Sequence, residues 1–107
     1  MPIVHEVVIR PQSGLEIETA AALDELGAVY AQAPGFVESY TLDGLEEGGL
    51  LARVSIWEST TAIERCSQLD QTLALREKLE ALAHPVSQGA LLDIRSERSG
   101  QPAPAIA

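Results

Sequence analysis

Along the stretch RVSIW, Arg53, Ser55 and Trp57 alternate, so in an extended chain a cation, a hydroxyl and the single tryptophan share one face. That mixture is unlike a core-forming face and matches the lining of a small-molecule pocket. The same residues also fit a subunit interface, with Trp57 packed across it and Arg53 paired to a carboxylate. A second cation, Arg76, lies about 40° from the centre of the stripe Ala62, Cys66, Leu69, Leu73 and Glu80 if that segment is one unbroken helix. There it pairs with a buried acid, reaches past the sheet edge into a cavity, or snorkels along the helix flank. His5 and Glu6 are neighbours in a strand-like run and point opposite ways, so only one of them faces the cavity. His5 is a candidate general base or a hydrogen-bonded structural histidine. Glu38 and Tyr40 share a face of another strand and are candidate substrate-binding residues beside Ser55 and His5; Tyr40 equally suits a core.

Other chemistries lack their residues. The sequence has no Walker loop, no GxGxxG, no HExxH and no Ser-His-Asp arrangement, so neither a metal nor another cofactor is expected. Cys66 is alone, which excludes a disulfide framework and a zinc cluster and suits a small buried side chain. His84 precedes Pro85 where a helix is expected to end, and its charge would suit the helix dipole there.

The 107 residues make one domain, 46% hydrophobic and 21% charged. With four aromatic-ring residues of the Phe, Tyr and Trp type, the core must be mainly Leu, Ala, Val and Ile. A net charge of −9 argues against nucleic acid and against anionic membrane surfaces as partners. No apolar run approaches the roughly 20 residues of a membrane helix, and MPIVHEVVIR lacks the pattern of a secretory signal. A cytoplasmic location is therefore expected.

The elements that must position the candidate residues follow from periodicity. Ile3 to Arg10 alternates and reads as a strand closed by PQSG. Leu15 to Ala33 reads as a helix, with Ala20, Leu23, Leu26, Gly27 and Tyr30 along one side, stopped by Ala33-Pro34-Gly35. FVESYTL and LLARVSIW read as a hairpin across the Gly-rich DGLEEGG. Ser59 or Thr60 caps a second long helix, which is expected to reach Ala83. Val86 to Ile94 reads as the last strand, and residues 96–107 as a Pro- and Ala-rich tail on a domain spanning 1–95.

The order β-α-β-β-α-β is that of an α+β, ferredoxin-like antiparallel sheet with both helices on one face. Ala52, Val54 and Ile56 are expected to pack under those helices. Both faces of the first strand, His5-Val7-Ile9 and Val4-Glu6-Val8, are largely apolar, so the uncovered side must also be buried. A second copy of the chain is the simplest cover, giving a homodimer whose sheets pack face to face and enclose a cavity in or beside each subunit.

APGFVESYTLDG, followed by RVSIWESTTAIE and LREKLEAL, resembles the antibiotic biosynthesis monooxygenase family over roughly Ile3 to Ile94. The resemblance implies a dimeric α+β barrel. It is closest to members that oxidise anthrone- or naphthol-type polyketide intermediates to quinones with molecular oxygen and no metal, haem or flavin. It implies catalytic roles for Trp57, which contacts the substrate ring, and for Arg76, the arginine of the LRE motif, with either Arg76 or Arg53 stabilising the substrate anion. Arg53 stands where the family has an asparagine, and Ile63 where it has a tyrosine. The same barrel also carries non-oxidative isomerases and cyclases, non-enzymatic binding proteins and haem-degrading enzymes. The haem-degrading enzymes need a helix histidine, which the segment from Ser59 to Ala83 lacks.

Overall fold

The computed structural model describes residues 2–45, 49–96, 98 and 100, with the side chains of 88–90 outside the description. Strand β1 (Ile3–Pro11) leads through helix α1 (Glu16–Ala31) to β2 (Phe36–Asp43) and β3 (Leu51–Trp57). Helices α2 (Thr60–Ser67) and α3 (Asp70–Leu82) then precede β4 (Ala83–Asp93). The four strands lie in the order β2-β3-β1-β4, every neighbouring pair antiparallel. This is the ferredoxin-like α+β arrangement expected from the sequence. Most of the tail read at 96–107, and the centre of the DGLEEGG turn, fall outside the described residues.

Helix α1 buries Thr19, Ala22, Leu23, Leu26, Gly27 and Tyr30, a stripe at steps of three and four that lies on the sheet. Its N-terminal turn carries Glu16 and Glu18, suited to the positive end of the helix dipole. The chain leaves the helix through Gly35, whose φ of 86° is open to glycine at little cost. A Cβ on Gly35 would stand 2.5 Å from Cβ of Ala62 in α2, so this turn needs glycine twice over.

The second long helix of the sequence reading is two helices. Ser59 caps α2, its hydroxyl accepting from the Ala62 N–H at 3.2 Å. At the far end, the Ser67 hydroxyl donates to the Glu64 carbonyl at 2.7 Å, the acceptor that the Gln68 N–H would use in a continuing helix. The N–H groups of Gln68 and Leu69 turn instead to Arg65 and Cys66, tightening the last turn. Leu69 is extended, with φ −66° and ψ 139°, and α3 starts afresh. The break removes Leu69 and Leu73 from the buried stripe expected for them; both are exposed, while Thr72 and Leu79 are buried. The chain also becomes strand directly at Ala83, so His84 and Pro85 lie in edge strand β4 rather than closing a helix.

The two faces of β3 are assigned opposite to expectation. Leu51, Arg53, Ser55 and Trp57 are buried beneath the helices, and Ala52, Val54 and Ile56 lie half-exposed on the open face. Alternation fixes which residues share a face but not which face is covered. The covering helices supply Tyr30 and Asp24, which receive the large and charged side chains. Register partners put Val4, Glu6, Val8, Tyr40, Leu42 and Leu92 on the open face with Val54.

Replacing Gly35 by Ala should lower unfolding stability by about 1–3 kcal/mol, from left-handed strain plus the contact with Ala62. Urea denaturation checks this: the midpoint should fall while the slope stays unchanged.

Candidate active site

A cavity of about 340 Å³ lies between the covered face of the sheet and the helices. His5, Val7 and Ile9 of β1 and Trp57 of β3 form its floor. Leu26 and Tyr30 of α1, and Ile63 and Cys66 of α2, close two sides. Thr72, Arg76, Leu79 and Glu80 line it from α3, at the one-turn spacing that puts them on a single helix face. Pro85, Ser87 and Leu91 bring in the edge strand β4.

Trp57 organises the interior. It is 1% exposed, and Tyr30 and Phe36 each meet it edge to face with ring centroids 5.4 Å apart. His5 stands edge-on to Tyr30 at 6.4 Å. The indole N–H donates to the Ser55 hydroxyl at 2.9 Å, and Ser55 in turn lies 3.5 Å from the His5 carbonyl. Trp57 therefore offers a ligand its ring, with its donor already engaged. Ser55 acts on the cavity through that bond and does not line it.

Burial sets the protonation states of the lining. It lowers the pKa of the His5 imidazole, with the Arg76 charge adding to the effect, so the ring is neutral at pH 7. Burial raises the Tyr30 phenol to about 12, with Cys66 adding to the shift and both arginines opposing it. The Cys66 thiol is likewise pushed up by burial, against a smaller opposing effect of its contact with Thr72. Arg76 is exposed at the cavity wall and is paired with no described carboxylate.

Arg53 is not among the residues lining the cavity. It runs under α1, where Nη1 donates to the Ser39 hydroxyl at 2.9 Å and Nη2 to the Thr41 hydroxyl. Asp24 Oδ1 stands 3.6 Å from Nη2 and accepts from Thr41 at 2.9 Å. Burial disfavours the Arg53 charge and Asp24 opposes that cost, while Nε has no partner. A Cβ on Gly27 would overlap the guanidinium, so glycine in α1 makes the space that the cation occupies.

The structure thus brings His5, Trp57 and Arg76 together, and Glu6 faces the other way. Glu38 and Tyr40 do not join them. A register shift between Phe36 and Glu38 turns Phe36 in against Trp57 and leaves Glu38 and Tyr40 on the open face. There the Tyr40 hydroxyl donates to Glu38 at 2.8 Å, which raises the phenol pKa. Tyr30 and Thr72 are lining residues that sequence reasoning did not single out as site residues, and Glu80 was named only as part of the stripe of the second long helix. Tyr30 was visible only as the one aromatic on the α1 stripe, and Thr72 depends on the start of α3. Among the described residues, no three His, Cys, Asp or Glu side chains gather to hold a metal ion, and no helix is long and apolar enough to cross a membrane.

No protein-family model matches the chain, and no curated protein sequence matches it either. Solved structures do. SnoaB from Streptomyces nogalater, described as a cofactor-independent oxygenase, superposes with a TM-score of 0.80 at 19% identity, over 90% of this chain and 95% of its own. Rv0793 from Mycobacterium tuberculosis gives 0.78 at 18% identity, over 92% and 100%. A candidate antibiotic biosynthesis monooxygenase from Nitrosomonas europaea gives 0.79 at 10% identity, over 88% and 90%. The chain has the fold of these proteins, which is the fold that the sequence resemblance implied.

Replacing Gly27 by Ala should displace Arg53 from its pocket and lower stability by about 1–3 kcal/mol. The double variant with Arg53→Met should recover part of that loss, because the guanidinium and the added methyl no longer compete. A double-mutant cycle of urea midpoints reads the coupling directly.

Proposed function

We propose that this protein is a dimeric, cofactor-independent monooxygenase that oxidises a polycyclic phenol or anthrone to a quinone with molecular oxygen. The observation that carries the reading is a mostly apolar cavity floored by Trp57, with the Arg76 guanidinium, unpaired among the described residues, at its wall. The fold shared with SnoaB, an oxygenase of the same cofactor-free description, supports it.

The chemistry suits such a lining. A phenolic substrate loses a proton, and its carbanion-like anion passes one electron to oxygen. The radical pair combines to a peroxide, which eliminates water to leave the quinone carbonyl. Trp57 and Tyr30 hold the planar ring, Arg76 stabilises the anion, and the apolar walls hold oxygen beside it. Arg53 serves by fixing β2 and α1 around the site rather than by touching substrate. Ile63 puts an apolar wall where the family has a phenol, which favours a second reading: a non-oxidative cyclase or isomerase, or a binding dimer, built on the same cavity.

Dimerisation would cover the open sheet face, where Val54 and Ile56 lie among Val8, Tyr40, Leu42 and Leu92. Glu38 and Tyr40 then belong to the subunit interface. Light scattering should give twice the chain mass for the wild type and a single chain for Val54→Asp; a wild-type monomer would remove the dimer from the account.

Oxygen uptake with dithranol, in chelator and without added cofactor, tests the activity. The wild type should consume oxygen and form the quinone above the uncatalysed rate. Arg76→Ala should lose roughly a hundredfold in kcat/KM. Ring binding without oxygen uptake would favour the non-oxidative reading.

A further inference from the structure

The proposed oxidation begins with the removal of a proton, and the cavity lining offers few groups to accept one. The Tyr30 phenol, with its pKa near 12, stays protonated at neutral pH, and burial keeps Cys66 a thiol. Thr72, Ser67 and Ser87 present hydroxyls, and Arg76 is a cation. Glu80 is on the exposed side of α3, at the rim. His5 differs from all of these. Its ring lines the floor, stands edge-on to Tyr30, and is hydrogen-bonded at neither nitrogen to any described residue.

We propose that His5 is the proton acceptor of this cavity, taking the phenolic or benzylic proton of an aromatic substrate whose anion then lies against both His5 and Arg76. The assignment rests on reading the cavity as an aromatic-substrate site. In the step, the substrate O–H or C–H bond breaks with its electron pair left on the substrate, and an N–H bond forms on the imidazole. The cavity gains no net charge, since a neutral pair becomes an imidazolium and an anion. With oxygen as the oxidant, the anion adds oxygen to give a peroxide anion. The imidazolium returns its proton to that anion, and the hydroperoxide eliminates water.

Burial, with the Arg76 charge adding to it, disfavours an imidazolium in the empty cavity, so His5 waits in its basic form; once the substrate anion is present, its negative charge offsets the Arg76 repulsion. The other groups facing His5 add little charge to this balance. Helix α1 contributes the neutral Tyr30 and α2 the neutral Cys66, while α3 contributes Arg76 with Glu80 at the rim. Strand β3 contributes the uncharged Trp57 and Ser55, its Arg53 being held under α1, and β4 places Leu91 opposite His5. Glu6 points to the far side of the sheet.

The test uses 1-naphthol, whose anion has its own absorption band, mixed with protein without oxygen at pH 7, where the free naphthol is protonated and His5 is neutral. Calorimetry in buffers of different ionisation enthalpy counts the protons released. The wild type should bind the naphthol as its anion with no proton released, because His5 keeps it. In His5→Gln the naphthol should bind neutral, or release one proton for each anion bound. Release of a proton by the wild type, neutral binding by the wild type, or identical behaviour of the two proteins would overturn the assignment. Failure of the naphthol to bind would overturn it together with the reading of the cavity. Proton NMR of the ligand-free protein adds a second readout. His5 should titrate below its ordinary value of 6.5 and move up in Arg76→Gln; an unmoved value would also overturn it. A retained proton without any oxygen uptake would keep His5 in its role and remove the oxidation instead.

Discussion

The architecture of the site depends on burying Trp57 at the end of β3. A tryptophan there cannot be covered by a sheet alone, and its two edge-to-face neighbours come from separate elements, Tyr30 from α1 and Phe36 from the start of β2. Its N–H is satisfied within its own strand by Ser55, so the ring is buried without an orphaned donor. These contacts fix how α1 crosses the sheet and why β2 enters with a register shift. They also hold the ring as a wall of the space left between the helices and β1.

Placing two arginines near that space sets a different problem for each. Arg53 is buried, so its charge must be answered, and Ser39, Thr41 and Asp24 answer it on the side away from the cavity. The space for it comes from Gly27, a glycine inside a helix where that residue ordinarily costs stability. Arg76 sits at the exposed wall, where solvent carries the cost of its charge and leaves the guanidinium available to a ligand. The cation that alternation groups with Trp57 is thus paired outside the cavity lining, and the one on the helix lines the cavity. Similar folds at 10 to 19% identity say little about reactions, so the functional reading rests on this division between the two.

Much of the fold was legible in the sequence because alternation and helical periodicity are local. The four strands, α1, the Ser59 cap and the ferredoxin-like order all follow from residues close in the chain. What was not legible depended on contacts made elsewhere. The covered face of β3 is chosen by Tyr30 and Asp24 of α1, residues distant in sequence. The shift after Phe36 that sends Glu38 and Tyr40 outward is a bulge with no glycine to announce it. The break after Ser67 turns on one hydroxyl taking one carbonyl, which hydrophobic periodicity does not register. That break decides which residues of α3 reach the cavity: Thr72 was missed, Leu73 was expected on the buried stripe and is exposed, and Arg76 and Glu80 line the cavity.

The central claim is that ligands occupy the space between Trp57 and α3, beneath the helices. Because Trp57 is the single tryptophan, its fluorescence reports that space directly. Titration with 1,8-dihydroxyanthraquinone should quench it saturably, one ligand per chain. Filling the cavity from its wall with Ala83→Leu should weaken the quenching by tenfold or more, as expected for about 1.4 kcal/mol of lost binding. Quenching of equal affinity in both proteins would place the ligand elsewhere and contradict the account.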